Sequence, residues 1–228
     1  MKRLSIIVGA FVVGVAAMLG VLQPWKRAPK REAPAPVEIS KVPSAALEYA
    51  LQAKARISAG ELKDAQELLA KAAALDPDLP LVPLHQGDLE MVRGDYGAAR
   101  RSYTEALKRR PGDARALAGR AAARYELNEP AGAVEDATAA VAADPSDPDA
   151  LFTRAAAYGA LKRWEECVRD WTAYLARRPK DAHAWTNRGN AHDRMDRKAA
   201  AVADWKQAVK LDPSLGDRLN PLIDDAGR

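Results

Sequence analysis

Side chains able to do acid–base, nucleophilic or metal chemistry are sparse. Across 228 residues there are three histidines (His85, His183 and His192) and one cysteine, Cys167. No two histidines stand at ligand spacing. A single cysteine rules out an intramolecular disulfide and any multi-cysteine zinc or iron–sulfur site. There is no glycine-rich phosphate loop and no Ser/His/Asp constellation. Arg93-Gly94-Asp95 spells an adhesion tripeptide, but it falls where a turn is needed. The residues therefore imply no catalytic, cofactor-binding or metal site, and the chain is expected not to be an enzyme.

One charged pattern does recur. Arg120, Arg154 and Arg188 are each followed sixteen residues later by Asp136, Asp170 and Asp204. Where Arg gives way to Gln52 and Gln86, Asp gives way to Leu68 and Ser102. The paired occurrence predicts three bidentate ion pairs, since an Arg fork grips a carboxylate through two hydrogen bonds. The competing reading is solvated surface charges worth little. Either way the role is structural.

The elements that would position such pairs follow from a 34-residue period. Prolines fall at Pro43, Pro77, Pro111, Pro145, Pro179 and Pro213. Small residues recur at Ala53, Gly87, Ala121, Ala155 and Gly189, and at Ala65, Ala99, Ala133, Cys167 and Ala201. A third set, Ala72, Ala106, Ala140, Tyr174 and Ala208, is followed directly by Ala73, Leu107, Val141, Leu175 and Val209. The many alanines and few aromatics (6%) favour helix over strand. Each unit reads as two helices. They are joined by a turn near Gly94-Asp95 or Asn128-Glu129, and the second ends at the periodic proline. Asp113, Asp147 and Asp181 are placed to cap the next helix. Cys167, in a small-residue column, reads as buried and inert. His192 reads as a packing residue.

On these columns, and on segments such as Trp185-Thr-Asn-Arg-Gly189 and Lys210-Leu-Asp-Pro213, the chain resembles the tetratricopeptide repeat family. The resemblance covers about residues 46–215 as units 46–79, 80–113, 114–147, 148–181 and 182–215. It implies an all-α fold, a right-handed α-α solenoid of about five helix pairs, with residues 216–228 as a short polar-faced cap limited by Pro221. Two departures are expected to matter. Pro83 should delay or distort the start of its helix, and Tyr174 should loosen or re-angle the contact between the fourth and fifth units.

The resemblance also implies a concave groove lined by the first helix of each unit, open to a protein or peptide partner. Transferred to this sequence, the groove takes Leu51 and Lys54 from the first unit, and Leu81, Leu84, Asp88 and Met91 from the second. The middle units give Tyr125 and Phe152. The last gives His183, Thr186, Asn187, Asn190 and Asp193. His85 and Arg115 fall in neighbouring groove columns. The groove runs from apolar to polar, with the amides of Asn187 and Asn190 suited to an extended peptide backbone. Its apolar end could instead be covered by residues 33–45. The Lys/Asn pattern that clamps chaperone C-termini is present only in fragments, so that ligand is not expected.

The remaining segments are an anchor and a spacer. Leu4 to Leu22 holds nineteen residues without a charge, long enough as a helix (~28 Å) for a bilayer core. Lys2 and Arg3 precede it, and Trp25, Lys26 and Arg27 follow. An uncleaved transmembrane helix is favoured over a cleaved signal peptide, because the apolar run continues past Val15-Ala16-Ala17. Both flanks are basic, so orientation leans only on the short N-terminus, toward a periplasmic or external bulk domain. Ala10-xxx-Gly14 and Ala16-xxx-Gly20 allow a homo-oligomer through the anchor. Residues 23–43 form a Pro/Ala-rich basic linker. Residues 1–43 carry seven basic and two acidic side chains, which leaves 28 basic and 29 acidic over residues 44–228. That balance argues against nucleic-acid binding. Two functions are compatible with all this: a membrane-tethered scaffold that recruits a protein, or a structural subunit packed permanently in an envelope complex.

Overall fold

In a computed structural model that describes residues 44–226, the chain folds as five helical hairpins and a terminal helix. The pairs are α1 (Ala45–Ser58) with α2 (Leu62–Leu75), α3 (Leu81–Arg93) with α4 (Tyr96–Arg109), and α5 (Ala114–Glu126) with α6 (Pro130–Ala143). They continue with α7 (Pro148–Ala160) and α8 (Trp164–Arg177), then α9 (Ala182–Asp193) and α10 (Lys198–Leu211). A 3₁₀ turn, Pro213–Leu215, leads into α11 (Gly216–Ala226). No described residue is in a strand. Each helix packs on the next, and α1 also packs on α3, α3 on α5 and α5 on α7. This is the neighbour-only packing of a solenoid.

Local chemistry repeats with the same 34-residue step. Gly60, Gly94, Asn128, Lys162 and Asp196 all adopt positive φ, between 57° and 78°, just past the first helix of each pair. Asp113, Asp147 and Asp181 accept backbone N–H bonds from Ala116, Asp149 and Ala184 at 2.9–3.1 Å, as N-caps. The equivalent of these caps before α3 is Leu79, which has no acceptor. That helix starts one residue late, after Pro80, in line with the disturbance expected at Pro83.

The small-residue columns form the packed interior. Ala53, Ala121, Ala155, Ala65, Ala99, Ala133 and Ala201 are all fully buried. Close approach is needed at Gly87 and Gly119, which both pack on the Cε1–Cζ side of the Tyr103 ring; a Cβ at Gly119 would lie 2.4 Å from its Cζ. Tyr174 fills its enlarged position productively. Its ring stands edge-on to Phe152 and Trp171, and its hydroxyl donates to Asp181 at 2.8 Å.

All three Arg–Asp pairs form, each bidentate between the two helices of one unit. Arg120 reaches Asp136 at 2.8 and 2.7 Å, Arg154 reaches Asp170 at 2.6 and 2.8 Å, and Arg188 reaches Asp204 at 2.8 Å twice. The three carboxylates are buried, so these are interior pairs rather than solvated ones. Arg188 also donates to Thr172 of the preceding unit at 3.1 Å.

At the C-terminal end, Leu215 and Leu219 are buried against Trp205 and Ala208. Pro221 does not limit this cap; it lies inside α11 at an exposed position. In a terminal helix the missing N–H removes only one backbone bond, the one to the Asp217 carbonyl. Among the described residues no helix is long and apolar enough to cross a membrane. The expected anchor at residues 4–22, its small-residue pairs and the linker to residue 43 lie outside them.

Candidate protein-binding groove

The first helices α1, α3, α5, α7 and α9 stand side by side and present one residue column per helical position. The column Lys54, Asp88, Ala122, Ala156 and Asn190 runs along their shared face. Two cavities open on that face. The first, about 370 Å³, is lined by Lys54, Asp88, Met91, Arg115 and Thr153, together with Asp147 and Asp149. The second, about 310 Å³, is walled by Tyr125, Trp164, Trp171, Asn187, Asn190 and Arg194 over a floor of Ala155, Ala156 and Gly159.

Asp88 organises the first cavity. It receives hydrogen bonds from Tyr103 at 2.9 Å and Arg115 at 2.9 Å, and contacts His85 Nδ1 at 3.1 Å. Burial opposes its ionisation, but His85, Arg115 and Tyr103 together outweigh that and hold its carboxyl below the usual range. Burial, and then the Asp88 charge, push the Tyr103 hydroxyl far above its ordinary value, so it stays a donor. In the second cavity Asn190 Oδ1 accepts from Trp205 Nε1 at 3.0 Å. This bond fixes the amide and turns its NH₂ into a free donor for a ligand carbonyl. Cys167 touches the second cavity, yet burial pushes its thiol up to about 11, so it carries little thiolate at neutral pH.

The residues expected in the groove divide into four groups. Lys54, Asp88 and Met91 meet in the first cavity, and Tyr125, Asn187 and Asn190 in the second. Leu51, Phe152 and His183 are exposed outside both. Leu81 is half-buried against the cluster of Leu84 and Tyr103, and Asp193 is held by Lys198 at 2.6 Å. Leu84 and Thr186 are corrections: at 3% and 4% exposure they pack inside rather than line the groove. Their column lies at the edge of the face, where exposure follows from the neighbour's size. Phe152 in that column is 38% exposed, its ring edge-on to Trp171 and to Tyr174, which stands where the other two units have Ala106 and Ala208. His85, in the next column, is fully buried and its Nε2 has no hydrogen-bond partner among the described residues.

Sequence reasoning missed the cavity walls Trp164, Trp171 and Arg194. Trp171 stands in the same column as Tyr103 and Trp205, and that recurrence of large rings was the signal available.

Two family models described as tetratricopeptide repeat match the chain, over residues 84–148 and 182–215. Such repeats are typical of non-enzymatic scaffolds. Among solved structures, YrrB, a TPR protein with an unusual peptide-binding site, superposes with a TM-score of 0.63 at 21% identity. The alignment covers 74% of this chain and 87% of that one. MamA from Desulfovibrio magneticus RS-1, residues 41 to its end, gives 0.66 at 21% identity, covering 75% and 97%. A further MamA crystal structure gives 0.63 at 17% identity, covering 76% and 94%. Likeness at these identities is one of fold.

Proposed function

We propose that this chain, matched by tetratricopeptide repeat models over residues 84–148 and 182–215, is a membrane-tethered tetratricopeptide repeat scaffold. It recruits a protein through an extended segment laid along the first-helix groove. The observation that carries the reading is the fixed amide of Asn190. A donor held in one orientation by a buried indole, beside exposed Asn187 and an aromatic-walled cavity, suits a peptide backbone with one large apolar side chain. The peptide-binding site described for YrrB, a protein of the same fold, agrees with this use of the repeats. The tether rests on the charge-free run from Leu4 to Leu22 with basic residues on both sides. The bulk domain then lies on the external or periplasmic side.

The test uses the full chain, purified from membranes with its bound proteins. Asn187→Leu with Phe152→Ser removes an exposed amide and a ring packed edge-on against Trp171 and Tyr174, so its thermal melt is recorded beside that of Asn187→Leu alone, which should keep the melt of the parent chain. The double variant should lose the captured partner. Retention of the partner by this variant refutes groove recruitment. Release of the chain from membranes by alkaline carbonate refutes the tether independently.

A further inference from the structure

One cavity larger than both groove cavities lies outside the groove. It is a cleft of about 750 Å³ on the second-helix side of the first two units, and it shares no residue with either groove cavity. Its origin is a packing pair that is undersized at one junction only. At the later junctions the column pairs are Leu107 with Leu117, Val141 with Leu151, and Leu175 with Trp185, each pair within one apolar cluster. At the first junction the same two columns hold Ala73 and Pro83, and the space is left open. Its apolar floor is Ala73, Pro77, Val82 and Pro83.

The rim is basic. Glu105 serves both Lys108 at 3.1 Å and Arg109 at 3.4 Å. Asp136 serves both Arg120 at 2.7 Å and Arg124 at 3.0 Å. Arg100 pairs with Glu129. Arg101 has no ion-pair partner among the described residues. Glu90, which accepts from Gln86 and Ser102, is the only other carboxylate bonded to the lining among the described residues. Five cations, Arg100, Arg101, Lys108, Arg109 and Arg124, thus line the cleft against one lining carboxylate, Glu105, with Glu90, Glu129 and Asp136 bonded to the lining from outside it; this is a local excess of positive charge on a domain that is close to neutral overall.

We propose that this cleft docks an acidic segment of a protein partner, with an apolar side chain on the floor and carboxylates against Arg101, Lys108 and Arg124. A concave site with a dry floor suits an inserted side chain better than a flat membrane surface. The chain's own residues 1–43 are basic, so neither they nor those of a second copy complement the rim.

The experiment measures fluorescence anisotropy of a labelled glutamate-rich peptide with a central leucine pair, added to the full chain in neutral detergent. A lysine-for-glutamate version is the control. The glutamate peptide binds with steep salt dependence and the lysine peptide does not. Arg101→Glu with Lys108→Glu weakens binding by roughly tenfold or more. Ala73→Leu, which restores the pair used at other junctions, abolishes binding while the thermal melt holds or rises. Asn187→Leu with Phe152→Ser leaves binding unchanged, which separates this site from the groove. Equal binding of both peptides, loss only in the groove variant, binding only to phosphatidylglycerol vesicles, or self-association in its place would overturn the proposal.

Discussion

The Arg154–Asp170 pair offers the sharpest energetic test. Asp170 is 3% exposed and takes both of its hydrogen bonds from one guanidinium, at 2.6 and 2.8 Å. Replacing Arg154 by Met keeps the packing stem and leaves a buried carboxylate without a partner. Such a break costs about 3–5 kcal/mol, a large share of the roughly 5–15 kcal/mol that holds a folded domain. Replacing both residues, Arg154→Met with Asp170→Leu, removes the charges together and should fall within about 1 kcal/mol of wild type. With Asp170→Leu as the other single variant, at about 1–3 kcal/mol, the cycle yields a coupling of about 3 kcal/mol or more. Arg120→Met provides an internal control, because Arg124 still reaches Asp136 at 3.0 Å. Its cost should be about 1–2 kcal/mol. Urea unfolding of residues 44–228, followed by circular dichroism, measures all four. Single variants within about 0.5 kcal/mol of wild type, or an Arg120 variant as damaged as the Arg154 variant, would refute the interior-pair argument.

Three further outcomes follow from local geometry. Gly119→Ala sets a methyl against the Tyr103 ring and should cost about 1–3 kcal/mol, with the loss relieved in a Tyr103→Leu background; equal loss in both backgrounds contradicts it. Lys162 holds φ at 58°, so Lys162→Gly should raise stability by about 0.5–1 kcal/mol in thermal unfolding, and a lowered melt would show that its side chain matters more than its backbone. Acid should destabilise the fold in two steps. Burial, with Arg188 and Arg197 nearby, outweighs Asp204 and lowers the His192 pKa, while its partners lower that of Asp88. In both cases the unfolded chain binds protons more tightly. Stability is therefore full above the unfolded values and is lost as pH falls, from about 6.5 for His192 and about 3.9 for Asp88. Urea midpoints followed downward in pH should show the upper step vanish in His192→Tyr, and its persistence would assign that step elsewhere.

The repeat made much of this architecture readable before any coordinates. A fixed period places Asp113, Asp147 and Asp181 as caps and Arg120, Arg154 and Arg188 opposite their aspartates, because register alone decides those contacts. What register cannot supply is the size of the neighbour. Leu84 and Thr186 are buried while Phe152 in the same column is not; the large ring of the second helix is common to all three (Tyr103, Trp205 and Trp171), and the difference is Tyr174 where the other two units have Ala106 and Ala208. The Asp88 contacts with Tyr103 and Arg115 join α3 to α4 and α5, and so appear only once the helices are placed. The outer cleft was visible in part as Ala73 among Leu107, Val141, Leu175 and Val209. It gains meaning only with Pro83 opposite it.

The recruiting role is tested most directly by photo-crosslinking in intact membranes. A benzophenone amino acid replaces His183 or Asn187 in the groove, Lys108 at the outer cleft, or Lys206 on α10 as an exposed reference. The account predicts a partner adduct from both groove positions that disappears in the Phe152→Ser background, and none from Lys206. Adducts arising only away from the groove, with His183 and Asn187 silent, would contradict it.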